Sequence, residues 1–353
     1  MKYIIRLFRK LLRKPLRLFH RIAVPVASKN MFLAHLYYTV FSPAFFQEHH
    51  AVLAGRFRYS KNIRSESATS ALLRRNTHRL EKGLIMRPRR TVFAKDYIKE
   101  TVAAYELALS AYRTEDDPVE EVQWAYDVLS EYFLVTDETN PIISQARTRF
   151  RALESLPVTS DPKKPYQRDL GAPLRVNYEN LLKLSLHRRS VRWYRPDTVP
   201  RELVDKAITV AGLAPSACNR QPFDYRIFDA PDKIKEVSSI PGGTAGFNHN
   251  FSGIIVVVGH LDAYFDERDR HLIYIDASLS SMALIYALEV QGISSCVINF
   301  PEVLADEKKM AKTLGLRADE RVIMLVSYGY PDPEGLVPFS QKKPLSQLRS
   351  YNV

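Results

Sequence analysis

The feature that most restricts the fold of this 353-residue chain is an alternation of two kinds of segment in its C-terminal half. Short runs rich in β-branched residues and bounded by turn residues predict strands: "DYRIFDA", "GIIVVVGH", "SCVINF" and "RVIMLVSYGYP". The segments "PRELVDKAITVAGL" and "HLIYIDASLSSMALIYALEVQG" have helical patterns, and the second is apolar nearly all round, which predicts a buried central helix. This alternation predicts an α/β or α+β domain with one central sheet.

Upstream of these strands the pattern is helical. Between Gly83 and Gly171 there is no glycine, and two segments begin with a proline at the first helical position. The stretch from Pro157 to Pro173 holds four prolines and many polar residues, as linkers do. We therefore predict a basic and apolar N-terminal segment (1–60), a helical extension (61–156), a linker (157–177) and a C-terminal domain (178–353).

The positive charge is concentrated at the N-terminus. Residues 1–60 contain eleven Lys and Arg and one acid, Glu48, so they carry +10 of the net +12, and the rest of the chain is nearly neutral. A nucleic-acid-binding domain usually has a basic face, so the near-neutral remainder disfavours that class. Basic residues interrupt the first 22 residues too often for a signal peptide.

Two interpretations of this N-terminal segment stay open. Residues 1–28 have apolar residues at roughly helical spacing, with Pro15 near the middle, and could lie on an anionic membrane surface or pack on the protein itself. Residues 30–47 contain no charged side chain and predict a packed or interfacial segment, with a membrane span as the less favoured alternative.

The chain has two cysteines, Cys218 and Cys296, and no Cys/His cluster, so the sequence predicts no metal site. Two cysteines are compatible with a reducing compartment. We predict a cytoplasmic location, with peripheral attachment to the inner face of the membrane as an open alternative.

The stretch "HRRSVRWY" places three arginines around one serine. A guanidinium matches phosphate in a bidentate way, and a hydroxyl adds one more donor. The group could therefore hold one phosphate, follow a nucleic-acid backbone, or form a solvated arginine cluster. The aromatic residues Trp193 and Tyr194 that follow are expected in the core.

One helix later, "APSACNRQPF" begins a polar loop. The amides of Asn219 and Gln221 can each donate and accept a hydrogen bond, which suits the edge of a heteroaromatic ring. The alternative is an ordinary loop between a helix and a strand.

The ordered motifs resemble those of the FMN-dependent nitroreductase family. The element R-R-S-x-R is followed by a helix, P-S-x-x-N-x-Q-P, a central helix ending at Gly292, "SSCVINFP", "VSYGYPDP" and the basic tail "QKKPL". The resemblance covers roughly residues 179–348, and the ordered set is more specific than any single motif. It implies an α+β fold with a central, mostly antiparallel sheet flanked by helices. Upstream, "NTHRLEKGL" resembles the helical extension of nitroreductase-like proteins associated with bacterial surface-polysaccharide genes.

The resemblance also implies a site. The first arginine and the serine would contact the FMN phosphate and ribityl chain, the last arginine would assist, and the P-S-x-x-N-x-Q loop would approach the flavin of a partner subunit in a homodimer. A C-terminal lysine would close on the phosphate, and Ser295 to Asn299 would run beside the ring. The candidate cofactor-binding residues are Arg188, Arg189, Ser190, Arg192, Pro215, Ser216, Asn219, Gln221, Ser295, Lys342 and Lys343.

The implied activity is a ping-pong hydride transfer from NAD(P)H through FMN to a small nitro, quinone or similar conjugated acceptor. No catalytic side chain is predicted, because the cofactor carries the hydride step. The glycine-rich stretch from Ser239 to Gly253 is expected to form a wall where Phe247 and His249 could touch substrate. The alternatives are a flavin-binding accessory protein of membrane-associated polysaccharide biosynthesis without turnover and, least favoured, a nucleic-acid binder.

Overall fold

We describe the protein from a computed structural model, for residues 18–64, 70–112, 119–153, 156, 161–169, 171 and 175–352. The chain divides into two compact units, Met1–Ala51 and Val52–Val353. Most of the predicted basic helix, including Pro15, lies outside the described residues.

The first unit contains two short apolar helices. Helix α1 is described over Leu18–Ala27 and α2 spans Met31–Leu36, followed by a π-helical turn over Tyr37–Phe41. The side chain of Asn30 caps α2 by accepting a hydrogen bond from the Leu33 amide at 2.9 Å. Helix α3, Phe46–Arg64, begins in this unit and continues into the second.

Four helices form the predicted helical extension: α4 Ser70–Leu84, α5 Ile98–Tyr112, α6 Val119–Val135 and α7 Pro141–Arg151. Helix α7 begins as its sequence predicts, because Pro141 occupies the first turn and the Asn140 side chain accepts from two backbone amides. The four helices share one apolar core, and its fully buried members include Leu73, Leu80, Val102, Tyr105, Leu129, Tyr132 and Ile143.

The C-terminal half contains an antiparallel sheet of four strands in the order β1-β2-β4-β3. The strands are β1 Phe223–Phe228, β2 Gly253–His260, β3 Ser294–Asn299 and β4 Glu320–Gly329. All four coincide with the predicted runs, and the α+β fold with an antiparallel sheet is confirmed. Strand β3 lies at an edge, paired on one side with β4.

Helices cover both faces of this sheet. Helices α9 Arg201–Ala211 and α11 Leu272–Glu289 pack against one face, and α10 Pro231–Ser238 and α12 Leu304–Leu314 against the other. Strand β2 is apolar from Gly253 to Gly259 for this reason: Ile254, Val256 and Val258 belong to one core and Ile255 to the other. Sequence analysis predicted α9 and α11 and missed α10 and α12. Two further helices are α8 Tyr178–His187 and α13 Leu345–Leu348.

The central helix α11 is buried on one side only. Its sheet-facing residues Leu284 and Leu288 are inaccessible, whereas Ile275, Leu279 and Met282 lie at helical spacing and are exposed. The prediction of a wholly buried helix is therefore wrong for this stripe. By length and composition, the stretch Glu267–Glu289 is the one helix among the described residues that could cross a bilayer, and half of it is buried in the protein.

Part of the predicted linker lies on the helical extension. The backbone amide of Lys163 donates to the Asp127 carboxylate at 2.7 Å, and the Lys164 ammonium lies 2.9 Å from the Glu131 carboxylate. Both acids belong to α6, so these two residues are attached to that helix.

Candidate functional site

The R-R-S-x-R element lies along the free edge of β3. Helix α8 ends at His187, where the amide of Arg188 still bonds to the Leu184 carbonyl at 2.9 Å, and the chain then extends. Ser190 forms a parallel bridge with Ser295, in which the Val191 amide donates to the Ser295 carbonyl at 3.1 Å. The predicted cofactor residues Ser190 and Ser295 are thus neighbours, because an edge strand offers unpaired backbone groups.

The side chains of Arg188, Ser190 and Arg192 lie near the thiol of Cys296. This cysteine follows Ser295 on β3 and is 2% exposed. Burial raises the pKa of the thiol, while the charge of Arg192, a hydrogen bond from Ser190 and the charge of Arg188 oppose that rise. The three side chains assigned to the FMN phosphate therefore all influence the Cys296 thiol on β3, and the net effect leaves its pKa raised.

Within the described residues, the arginines of this element have no carboxylate partner. Arg226, Arg317 and Arg321 of the same domain are paired with acids, as Arg321 is with Glu302 at 3.1 Å. By contrast, across the described ranges no Asp or Glu lies within ion-pair distance of Arg188, Arg189 or Arg192. An unneutralised cluster of guanidinium groups beside a serine hydroxyl is suited to an anionic ligand.

A cavity of about 410 Å³ opens beside Arg192. The free edge of β3 forms one wall, and the glycine-rich stretch forms another through Gly242, Gly243 and Phe247. The Arg192 guanidinium lies 5.7 Å from the centre of the Phe247 ring. This volume is in the range of small-molecule and cofactor sites, and the cavity lies against the β3 residues predicted to run beside the flavin.

Sequence analysis missed the remaining lining residues, Pro301, Val303 and Asp306. They lie between β3 and the first turn of α12. The sequence indicated them only by their position directly after the predicted strand. Because helix α12 was not predicted, the sequence did not show that these residues lie in a turn between a strand and a helix.

Arg189 points away from the thiol, toward the C-terminal tail. Its guanidinium donates to the carbonyl oxygens of Pro338 and Phe339. The tail continues to Lys342 and Lys343, which are exposed. In the part of the chain that the structure covers, no hydrogen bond joins either lysine to the arginine cluster, so their predicted role at the phosphate stays a prediction.

The second motif folds around a buried carboxylate. Asp276 of α11 accepts from the Ser216 hydroxyl at 2.7 Å and from the Ala217 amide at 2.9 Å. The same hydroxyl accepts a hydrogen bond from the backbone amide of Gln221 at 2.8 Å. The hydroxyl of Ser216 is therefore engaged by Asp276 and by its own loop, so Asp276 holds the loop in place.

The same loop has a strained backbone. Cys218, Asn219 and Gln221 all have φ values of 51° to 54°, in the left-handed region that residues other than glycine rarely adopt. Pro215 at the start of the loop is exposed, and the side-chain amide of Gln221 donates to the Gly212 carbonyl at 3.2 Å. Such outliers persist only where the surrounding contacts hold them, and they occur often in ligand-binding loops.

The two predicted halves of the site lie at opposite ends of α11. The P-S-x-x-N-x-Q loop bonds to Asp276 near the start of the helix. His187, next to the arginine cluster, contacts Glu289 at its last residue, at 2.8 Å. Thirteen residues of helix separate these points, about 20 Å, so one chain does not bring the two motifs together.

One prediction about an individual residue is wrong, and of the two interpretations of His249 the substrate contact is not supported. Trp193 was expected in the core but is 41% exposed, with its ring edge against His249, whereas Tyr194 is buried as predicted. His249 does not line the cavity beside Arg192. It lines a separate cavity of about 390 Å³ with Asp197, Asp229 and Lys235.

A second polar cluster lies at the opposite edge of the sheet. Asp224, His260 and Glu320 have ligand atoms within 4.8 Å of one another. Arg226 and Arg317 lie 3.0 Å and 2.9 Å from the Glu320 carboxylate. Because two guanidinium groups already neutralise this carboxylate, the cluster is an ion-pair network.

Comparison with known proteins agrees with this geometry. The model of the nitroreductase family matches residues 186–244 and 247–330, from the arginine element to the end of β4. Iodotyrosine deiodinase 1 of Pongo abelii is 25% identical over 210 residues, which are 52% of this chain and 70% of that protein. The Homo sapiens protein of the same name is 25% identical over 189 residues, which are 46% of this chain and 64% of that protein. This match therefore spans less than two thirds of the human protein.

A provisionally named NADH dehydrogenase/NAD(P)H nitroreductase of Archaeoglobus fulgidus is 29% identical over 157 residues, 44% of this chain and 88% of that protein. Among solved structures, an FMN-dependent nitroreductase of Clostridium difficile aligns with 23% identity and a TM-score of 0.42, covering 49% of this chain and 99% of that one. The sequence match contains both motifs and all four strands. Over residues 186–244 and 247–330, less than half of its length, this chain is similar to the nitroreductase family.

Proposed function

We propose that the C-terminal domain is an FMN-dependent oxidoreductase that uses NAD(P)H to reduce a small acceptor. The observation that carries this proposal is the unpaired arginine cluster beside the cavity at the edge of β3. Related proteins are named as an FMN-dependent nitroreductase and an NAD(P)H nitroreductase, which supports the same cofactor and electron donor.

The residues present fit FMN. Its phosphate needs positive charge and hydrogen-bond donors, and Arg188, Ser190 and Arg192 supply both. Asp306 lines the same cavity, but within the described residues it forms no ion pair with Arg188 or Arg192. The ring needs an apolar cavity with a few polar groups, which Phe247 and the edge of β3 provide. Bound FMN would supply two-electron transfer between NAD(P)H and the acceptor, in the ping-pong order implied by the resemblance.

The chain's own contribution is binding and orientation. The arginine element fixes the phosphate end, and the backbone of β3 limits how a planar ring can lie against it. Phe247 and the neighbouring glycines form the opposite wall and narrow the space for an acceptor. None of these groups has to exchange a proton, so their effect is on geometry and affinity.

A complete site would use two copies of the chain. The P-S-x-x-N-x-Q loop and the arginine element lie at opposite ends of α11, so a second copy would bring one chain's loop to the other's cavity. The exposed stripe Ile275, Leu279 and Met282 on the same helix offers an apolar surface for that contact. We infer a homodimer with flavin sites at its interface.

The acceptor is proposed as a class. Nitroaromatic compounds and quinones follow from the family, and the deiodinase names of two relatives add an iodinated tyrosine to the compounds worth testing. The alternative, a flavin-binding accessory protein without turnover, shares the cofactor and differs only in whether NAD(P)H reduces it.

An absorbance spectrum of the purified protein, before and after anaerobic NADH or NADPH, tests the proposal. Flavin absorbance that bleaches with one nucleotide is expected. Absorbance that persists would favour the accessory protein, and no flavin even after added FMN would refute the cofactor assignment.

The phosphate assignment has its own variant. Arg188→Ala with Ser190→Ala should lose FMN while the fold is kept, since two phosphate contacts are removed. Arg195→Ala with Ser252→Ala is the matched control, because these residues lie outside the cavity beside Arg192. Equal flavin content in the two variants would remove the assignment.

A further inference from the structure

The N-terminal unit exposes an unusual amount of apolar surface. Residues 18–50 are all described, and none of them is buried. Many of their large apolar side chains are exposed: Leu18, Phe19, Ile22, Val24, Val26, Met31, Phe32, Leu36, Tyr38, Val40, Phe41, Phe45 and Phe46. Contiguous surface of this kind marks an interaction site, because water disfavours it.

This segment has a defined shape. The Tyr37 hydroxyl lies 2.6 Å from Nδ1 of His20, and the rings of Phe19 and Phe41 are 5.2 Å apart. These contacts hold α1 against α2 and the π-helical turn, with a bend at residues 28–30. An apolar groove of about 330 Å³ runs between the two arms, lined by residues that include Phe19, Ile22, Val26, Leu33, Leu36 and Phe41.

Over the described residues, neither arm is long enough to cross a membrane. The apolar helices span Leu18–Ala27 and Met31–Phe41. At about 1.5 Å per residue each is roughly 15 Å long, half of a bilayer's hydrocarbon thickness. The bend between them contains Lys29, which makes deep insertion of the tip unfavourable. An orientation in the plane of the interface satisfies both restrictions.

The charge of the same region selects the kind of surface. Residues 1–29 contain nine Lys and Arg and no acid, and the first acid of the chain is Glu48. Basic residues beside an apolar segment are attracted to the anionic headgroups of a membrane leaflet. A second protein copy would carry the same positive charge, so repulsion opposes self-association through this surface.

We propose that residues 18–46 form an interfacial anchor that lies on one leaflet of an anionic membrane. The exposed aromatic and aliphatic side chains enter the acyl region, and the groove receives acyl chains. Arg21 and Lys29 stay at the headgroups, where the basic residues before position 18 add further attraction. This proposal rests on the N-terminal unit and does not depend on the proposed oxidoreductase function.

Cosedimentation of the full-length protein with lipid vesicles tests the anchor. Vesicles of phosphatidylcholine with phosphatidylglycerol should bind it, more weakly as salt is raised, and pure phosphatidylcholine vesicles should bind much less. Phe32→Glu with Val40→Glu should lower binding roughly tenfold or more, because two exposed apolar side chains become charged. Arg21→Glu with Lys29→Glu should remove the preference for anionic lipid.

The control replaces equally exposed leucines of the other unit, Leu134→Glu with Leu213→Glu, and should bind like the wild type. The proposal would be overturned if the control pair lowered vesicle binding as much as Phe32→Glu with Val40→Glu does. It would also be overturned if binding did not depend on the charge of the lipid. So would a protein that binds no vesicles but whose molar mass in solution falls with Phe32→Glu and Val40→Glu, which would assign the surface to a second copy. Absent vesicle binding, with the segment resistant to protease in all variants, would assign it to packing on its own chain.

Discussion

Arg74 of α4 donates a hydrogen bond from Nε to the backbone carbonyl of Asn219, across 2.8 Å. The same guanidinium lies 3.1 Å from the Glu121 carboxylate of α6 and over the Trp124 ring. The helical extension therefore holds the predicted flavin loop directly, at one of the residues with a left-handed backbone. The family match begins only at residue 186, so this contact joins the family domain to a part of the chain outside it.

Arg74→Met is expected to weaken FMN binding about tenfold, because a hydrogen bond to a charged donor is worth about 1.5–3 kcal/mol and the strained loop loses its support. Arg74→Lys should restore part of the affinity. Fluorescence titration with FMN measures the effect. Arg79→Met, on the same helix but away from the loop, is the control, and equal affinities for Arg74→Met and Arg79→Met would separate the extension from the flavin site.

Asp276→Ala should destabilise the protein by about 3 kcal/mol, because two half-buried donors of the loop lose their buried acceptor. Asp276→Asn keeps one acceptor oxygen and should cost less. The free energy of unfolding from urea denaturation gives both values. Ser278→Ala, an exposed position on the same helix, should change little. A small effect of Asp276→Ala would mean that the loop is held without this carboxylate.

Arg189→Ala should release the C-terminal tail, since its guanidinium bonds to two tail carbonyls. The expected result is faster tryptic cleavage after Lys342, detected by mass spectrometry of the fragments. Arg195→Ala serves as the control. Unchanged cleavage would show that other contacts, such as those of a partner subunit, hold the tail.

The network around His260 should make stability depend on acid. Burial opposes ionisation of Asp224, but a hydrogen bond from His260 and the charges of His260 and Arg226 hold the pKa of this carboxyl below its ordinary value. The ionised Asp224 therefore stabilises the folded protein fully above the carboxyl pKa of the unfolded chain, about 3.9. This stabilisation is lost as the pH falls through the lower pKa that Asp224 has in the folded protein.

Asp224→Asn should accordingly lower the free energy of unfolding at neutral pH, with a difference from wild type that shrinks below about pH 4. Unfolding by urea at several pH values measures it. Asp232→Asn, at an exposed position of α10, is the control. A difference that stays constant with pH would contradict the role of the Asp224 charge.

Sequence determined the elements and the order of the motifs. Three features are local patterns in the sequence: the apolar run of β2, the start of α7 at Asn140 and Pro141, and the spacing between R-R-S-x-R and the later loop. Hydrophobic periodicity and helix capping depend on residues that are close in sequence, so the sequence alone predicts them.

Tertiary structure decided which of these residues act together. Three arginines within five positions look alike in sequence, yet the bridge between Ser190 and Ser295 turns Arg192 toward the cavity and leaves Arg189 to the tail. The contact of Arg74 with Asn219 joins residues 145 positions apart, and His249 lies in a different cavity from Phe247 despite their proximity in sequence. Local patterns fix periodicity, but strand order and the packing of distant helices set which way each side chain faces, and these depend on the whole folded chain.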